Sequence, residues 1–325
     1  MKKVMVKSGA RLHLGFYSFR VDSLGRAYGG VGVSVEEPFV EVEVYPSDKV
    51  EIEVTDESIE ELVKEVIEAL GAKVRVRVTR CIPRHVGLGS TTQLVLSLAY
   101  AISKLEGFEL DPWVTAAAFG RGPISGIGIA TFLYGGLVVD SGTKLHSLAK
   151  YPALDPEDLP KPIARIELPK DWRFVVVIPK GIRGLSEREE MPLLTCPQPL
   201  DPDKSRELLE EVFLRMLPAA VRGDAKEFGY AVTRIQTIVG EYFSKHQGGV
   251  FAKPYGEVVA RALRSCGSLC VGQSSWGPAM YGLAPSPEEG EKLRACVSKE
   301  LDREGVDAYI VSTPPRNKGF EFISS

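Results

Sequence analysis

The run Pro83-Arg-His-Val-Gly-Leu-Gly-Ser-Thr-Thr-Gln93 carries the plainest chemistry in the chain. Gly87 and Gly89 let a backbone approach a ligand closely, while Ser90, Thr91 and Thr92 bring hydroxyls and free N–H groups to a helix start. Orphan donors and the helix dipole at such an end attract phosphate. The lysine of GxxxxGK[ST] is missing, so this is not a P-loop, and an ordinary capped helix behind a glycine turn would show similar letters. A second run, Gly120-Arg-Gly-Pro-Ile-Ser-Gly-Ile-Gly128, places Arg121 where it can meet an anion and adds an N–H cradle at Ser125–Gly126. Its glycines do not follow the GxGxxG spacing of a dinucleotide fold. A third run, Gly272-Gln-Ser-Ser-Trp-Gly-Pro278, lies between two strands and reads, as structure alone, as a tight hairpin turn around a buried Trp276. In Ser8-Gly-Ala-Arg-Leu-His-Leu-Gly15, Arg11 and His13 fall on the same side of a strand.

These loops need a scaffold. Period-two patterns predict strands over Val4–Ser8, Leu12–Phe16, Val31–Val35, Phe39–Tyr45, Val50–Val54 and Val74–Thr79. An amphipathic helix is predicted over Asp56–Leu70, stopped by Gly71, and another over Ser90–Leu105. The first glycine run therefore joins a strand end at Arg80–Ile82 to a helix. A short helix, Pro112–Phe119, precedes the second run, and Gly135–Asp140 returns to strand. Lys144–Lys170, broken by Pro152, Pro156, Pro160, Pro162 and Pro169, predicts a loop or domain boundary. Beyond it come a buried strand at Arg173–Pro179 and helices over Ser205–Met216, Ala225–Tyr242, Pro254–Arg264 and Pro287–Glu304. Strands at Leu269–Gln273, Ala279–Leu283 and Ala308–Ser312 complete a small antiparallel sheet with helices laid on it.

The chain has 325 residues, 44% of them hydrophobic and 26% charged, with a net charge of −3. That balance argues for a globular protein and against a nucleic-acid coat or a polybasic membrane anchor. No apolar run reaches the ~18 residues of a membrane helix, and no apolar segment follows the charged start, so cytoplasmic is the expected location. Cys81, Cys196, Cys266, Cys270 and Cys296 form no CxxC pair and are expected to be small buried thiols. Asn occurs only at Asn317, a depletion that suggests a thermophilic source.

Together the four loops resemble the GHMP kinase superfamily, with the run at Gly87–Thr91 similar to its phosphate loop. The strings RLHLGF at Arg11, HVGLGSTTQL at His85, GRGPISGIGIATFLYGGLVVDSG at Gly120, QGG at Gln247 and GQSSWGP at Gly272 narrow the resemblance to the β-ribofuranosylaminobenzene 5′-phosphate synthase family. The similarity covers nearly the whole chain. It implies an α+β, GHMP-kinase-like fold with an N-terminal ribosomal-S5-like domain over 1–165 and a C-terminal ferredoxin-like domain over 166–325. It also implies an archaeal decarboxylating phosphoribosyltransferase of tetrahydromethanopterin synthesis, acting as a homodimer with Mg²⁺. Phosphoribosyl pyrophosphate and 4-aminobenzoate or 4-hydroxybenzoate would give a C-riboside 5′-phosphate, carbon dioxide and pyrophosphate. An ATP-dependent small-molecule kinase and a catalytically silent ligand binder of the same fold are the competing expectations.

On this resemblance Gly87, Gly89, Ser90, Thr91 and Thr92 become the cradle for a phosphate or pyrophosphate. Arg11 is a candidate for the benzoate carboxylate or the ribose phosphate, or else a surface strand arginine. His13 either hydrogen-bonds substrate or is a satisfied core histidine; His85 either touches phosphate or faces water. Arg121 and Ser125 are further anion donors or parts of a turn. Asp140 either ligates Mg²⁺ or caps the turn at Ser141-Gly142. Gln273, Ser274 and Ser275 are assigned to ribose or aryl contacts, and Trp276 to stacking or core filling. Arg316 and Asn317 are expected in a frayed terminus.

Overall fold

The computed structural model describes residues 3–185 and 187–324. The N-terminal half is built on one long antiparallel pair, β1 (Val4–Phe16) and β2 (Gly30–Pro46). The sequence predicts four short strands there, and the structure joins them into two. The join in β1 is a bulge at Gly9, where a Cβ would lie 2.2 Å from the Val35 carbonyl oxygen. The next elements are β3 (Glu51–Val54), α1 (Glu60–Ala69) and β4 (Val74–Arg80), the two strands pairing in parallel across the helix. Then come α2 (Ser90–Glu106), α3 (Pro112–Ala118), α4 (Ile127–Tyr134), β5 (Leu137–Asp140) and β6 (Pro162–Ile166). Lys144–Lys170 is thus not all loop: a short helix at Leu145–Leu148 and β6 lie within it.

In the C-terminal half, β7 (Arg173–Pro179) leads to helices α5 (Glu187–Leu194), α6 (Pro202–Leu209), a π-helical segment Glu210–Met216, α7 (Leu217–Arg222), α8 (Ala225–Gln247) and α9 (Gly256–Ser265). The hairpin β8 (Val271–Gln273) and β9 (Met280–Ala284), then α10 (Pro287–Arg303) and β10 (Ala308–Thr313), complete a four-stranded antiparallel sheet in the order β8-β9-β7-β10. The uninterrupted apolar run of β7 follows from burial on both faces. Phe174, Val176 and Ile178 join a core shared with α8 and the N-terminal sheet, while Val175 and Val177 face α9 and α10. No helix among the described residues is long and apolar enough to cross a membrane.

Two expectations are overturned. The last strand, β11 (Glu321–Ser324), crosses back and pairs with β1, so the C-terminal segment closes the first sheet. Arg316 and Asn317 are accordingly no frayed end. Arg316 is 1% exposed, donates to Glu36 at 2.5 Å and Glu321 at 2.8 Å, and Asn317 pairs with the Leu168 backbone through both amide atoms. Cys266 and Cys296 are not free thiols but a disulfide joining the end of α9 to α10. A separation of 30 residues hides the fact that adjacent helices bring them together.

Candidate active site

Side-chain acceptors cap α3, α8 and α10: Asp111, Asp224 and Ser286 accept N–H bonds of their first turns. Helix α2 has none. Its cap is Gly89, at φ +75°, and the first helical bond runs from the Gln93 N–H to the Gly89 carbonyl. Ser90, Thr91 and Thr92, whose N–H groups precede that bond, line a cavity of about 760 Å³. The loop before α2 is held from the C-terminal half. His85 O accepts from Gly184 N–H, Val86 O from Ala279 N–H and Gly87 O from the Ser274 hydroxyl at 2.6 Å. With these carbonyls engaged elsewhere, an arriving anion meets donors rather than carbonyl oxygens.

Arg11 and His13 leave β1 on the same face and both line the cavity. The Arg11 guanidinium donates to Gly87 O at 3.1 Å, while its buried Nε has no partner among the described residues. Burial lowers its pKa to about 10, with Glu190 opposing, so it stays cationic at neutral pH. His13 accepts the Gly15 N–H on Nδ1 at 3.2 Å, which puts the ring proton on Nε2. That Nε2 is buried and unpartnered among the described residues. Burial, and then the Arg11 charge, hold its pKa well below the ordinary histidine value, so His13 is a neutral donor.

The cavity also has an aromatic lining. Phe16 meets His13 edge-on at 4.8 Å, and Phe243 of α8 meets Trp276 at 4.9 Å. Met191 and Leu194 of α5 line the same cavity. Gln236 of α8 also lines it, its side-chain oxygen taken by the Gln273 N–H at 2.7 Å. One cavity therefore holds both the open N-terminus of α2 and an aromatic and apolar lining.

Two segments match known family descriptions: residues 57–136 match GHMP kinases N terminal domain, and residues 216–303 match GHMP kinases C terminal. The chain is 33% identical to the β-ribofuranosylphenol 5′-phosphate synthase of Archaeoglobus fulgidus, over 97% of this chain and 98% of that one. The chain belongs to the β-ribofuranosylphenol 5′-phosphate synthase family. The same name is carried by a relative from Methanothermobacter thermautotrophicus, 31% identical over 98% of each chain. Among solved structures, a homoserine kinase from Cytophaga hutchinsonii aligns over 99% of this chain and 97% of its own, with a TM-score of 0.71 at 18% identity. A mevalonate pyrophosphate decarboxylase from Streptococcus pyogenes aligns over 97% of each chain, with a TM-score of 0.62 at 13% identity. These two share the fold.

The structure gathers Arg11, His13, His85, Gly87, Gly89, Ser90, Thr91, Thr92, Arg121, Ser125, Gln273, Ser275 and Trp276 around one cavity. Asp140 and Ser274 are corrections. Asp140 is fully buried away from the cavity, and its carboxylate accepts from Gly30, Gly126 and Gly142 N–H and from the Ser125 hydroxyl. With both oxygens so engaged it clamps backbone and has no lone-pair direction facing a metal. Ser274 touches no ligand space either; its hydroxyl bridges His13 N–H and Gly87 O. Gln273 lines the cavity, but its amide is spent on Ala252, Gln247 and Ser275.

The sequence reading missed Glu190. It sits on α5, whose Glu-Arg-Glu-Glu run reads as a solvated face, yet its side chain faces the cavity near Arg11 and Arg121. Burial pushes its pKa up to about 7, against the pull of both arginines. The described residues hold no group of three His, Cys, Asp or Glu that could cage a metal. The donor set instead suits a cation that arrives on phosphate oxygens, since Mg²⁺ keeps water and substrate phosphates as ligands; Ser90 and Thr91, which line the cavity, would bring hydroxyls to it.

Proposed function

We propose that the protein condenses phosphoribosyl pyrophosphate with 4-hydroxybenzoate, releasing pyrophosphate and carbon dioxide and forming a C-riboside 5′-phosphate. One observation carries this reading: uncapped α2, with Arg11 and His13 beside it, opens into the same cavity as the slot of Phe16, Phe243 and Trp276. A diphosphate and an aromatic ring can therefore sit within one enclosure. The relatives, β-ribofuranosylphenol 5′-phosphate synthases, support the hydroxy acceptor over the amino one.

The residues support the chemistry in order. Breaking the bond between ribose C1 and the diphosphate sends an electron pair to the leaving group, and the α2 N–H groups and Arg11 stabilise that growing charge. Mg²⁺, held by diphosphate oxygens and the Ser90 and Thr91 hydroxyls, would add further charge neutralisation. The ring carbon that bears the carboxylate then bonds to ribose C1. Loss of carbon dioxide restores aromaticity, so no strong base is needed at carbon. His13, fixed as a neutral donor, contributes a hydrogen bond without adding a proton to the acceptor. A kinase would also use the anion-binding end, but only the superfamily fold favours that reading. A polyanionic donor does not cross membranes unaided, which supports a cytoplasmic site of action.

The test is incubation with the donor, Mg²⁺ and carboxyl-labelled 4-hydroxybenzoate or 4-aminobenzoate. Donor-dependent release of labelled carbon dioxide, faster with the hydroxy acid, is the expected outcome. ATP turnover with a small alcohol and no gas release would replace this reading with a kinase.

A further inference from the structure

Attack by the ring carbon draws electrons from the para oxygen, and the proton on that oxygen must go somewhere. Four cavity-lining side chains among the described residues belong to types that can take it: His13, His85, Glu65 and Glu190. His13 already uses Nδ1 as an acceptor and carries its proton on Nε2. His85 has its pKa lowered by burial and by Arg84 and Arg183, which makes it a weaker base. Glu65 is exposed at the rim on α1. Glu190 alone is a carboxylate inside the enclosure.

Its helix places it well. Met191 and Leu194 of α5 line the apolar side of the cavity, and Glu190 lies on the same short helix near Arg11 of β1 and Arg121 of the loop after α3. An aryl ring held against Met191 and Leu194 would therefore lie beside the helix that carries Glu190. The charged groups acting on Glu190 are these two arginines and Glu189 of its own helix.

We infer that Glu190 is the proton acceptor for the para hydroxyl of the aryl substrate, and the donor that returns the proton at the end. This rests on the transferase reading above. As the ring carbon bonds to ribose C1 and the diphosphate leaves with its electron pair, the hydroxyl proton moves to Glu190. The ring becomes a neutral dienone that still carries its carboxylate. The ring–carboxylate bond then breaks, carbon dioxide departs, and the freed pair restores the aromatic ring as a phenolate. Glu190 hands its proton back to that oxygen and is regenerated. A carboxyl poised near pH 7 suits both halves of this exchange.

The test is a set of 4-hydroxybenzoates of falling phenol pKa, from the parent to 3,5-difluoro-4-hydroxybenzoate, assayed at a pH where the difluoro phenol is ionised before it binds. With the parent acceptor, Glu190→Gln is expected to lower kcat by about 10²- to 10⁴-fold, the usual worth of a positioned acid–base group. With the difluoro acceptor, which has no proton to give up, that penalty is expected to shrink by about tenfold or more. Glu190→Asp is expected to keep the dependence of the parent enzyme with a lower rate, and it serves should the Gln variant not fold. A penalty equal for every acceptor overturns the assignment, as does one that disappears on raising Mg²⁺, which would make Glu190 a metal ligand. Wild-type protein that releases no carbon dioxide with any acceptor removes the transferase reading itself, a separate and visible failure.

Discussion

His13 and Glu190 face one cavity with opposite responses to burial, and their pH signatures differ in sign. His13 has its folded pKa below its unfolded value, so the unfolded chain binds the extra proton as pH falls through about 6.5. Its contribution to stability is present above that pH and lost below it. Glu190 has its folded pKa raised to about 7 from 4.5, so the folded state binds the extra proton between those values. Its contribution is present below pH 4.5 and lost as pH rises through 7. In calorimetric melts of the ligand-free protein, His13→Gln is therefore expected to flatten the fall in Tm below pH 6.5. Glu190→Gln is expected to melt above wild type at pH 8 and to match it near pH 4.5. Equal offsets at every pH would show that neither group titrates differently on folding.

At the scale of elements, the proposed anion-binding end depends on two loops from different halves locking together. Gly87 has φ +84°, and a Cβ there would lie 2.0 Å from the Ser274 carbonyl oxygen. Gly89 has φ +75°, but the nearest atom to its Cβ would be Arg11 Cβ at 3.5 Å. Gly89→Ala therefore carries backbone strain of about 1–2 kcal/mol, whereas Gly87→Ala must also push the loop at 272–278 away. The expected outcome is a KM for the donor raised about tenfold or more by Gly87→Ala, equivalent to ~1.4 kcal/mol, with a smaller effect at Gly89. Steady-state kinetics on both variants decides it. The loops themselves were legible because glycine and hydroxyl residues at a strand–helix junction have a local reason to be there. What Ser274 and Asp140 do was not. A serine or aspartate reads the same whether it holds a ligand or a backbone amide, and only the partner's position, here Gly87 and Gly126, decides. Helix α5 was missed because Glu190 is polar toward the cavity while its neighbours Met191 and Leu194 are apolar, a mixed pattern that no single periodicity captures.

At the scale of the molecule, the two halves share one continuous core, and the chain ends by returning to its first strand. Alternating patterns foretell the first sheet and apolar runs between turn signals the second, but nothing local in Pro314-Pro-Arg-Asn317 shows that this segment bridges to β2 at Val35. Arg316 fills that place: its Cδ would lie 2.8 Å from a Cβ at Gly9, and its guanidinium meets Glu36, Glu321 and the Gly319 carbonyl. Removing one partner of a buried ion pair costs more than the pair itself contributes, because the remaining charge stays behind without compensation. Glu36 and Glu321 are partly exposed, which softens that cost. Arg316→Ala is therefore expected to lose about 2–4 kcal/mol in a urea melt. Its kcat at a temperature where it is fully folded should equal that of wild type, since Arg316 does not line the cavity. A variant as stable as wild type but inactive would mean that the returning segment serves the reaction rather than the first sheet.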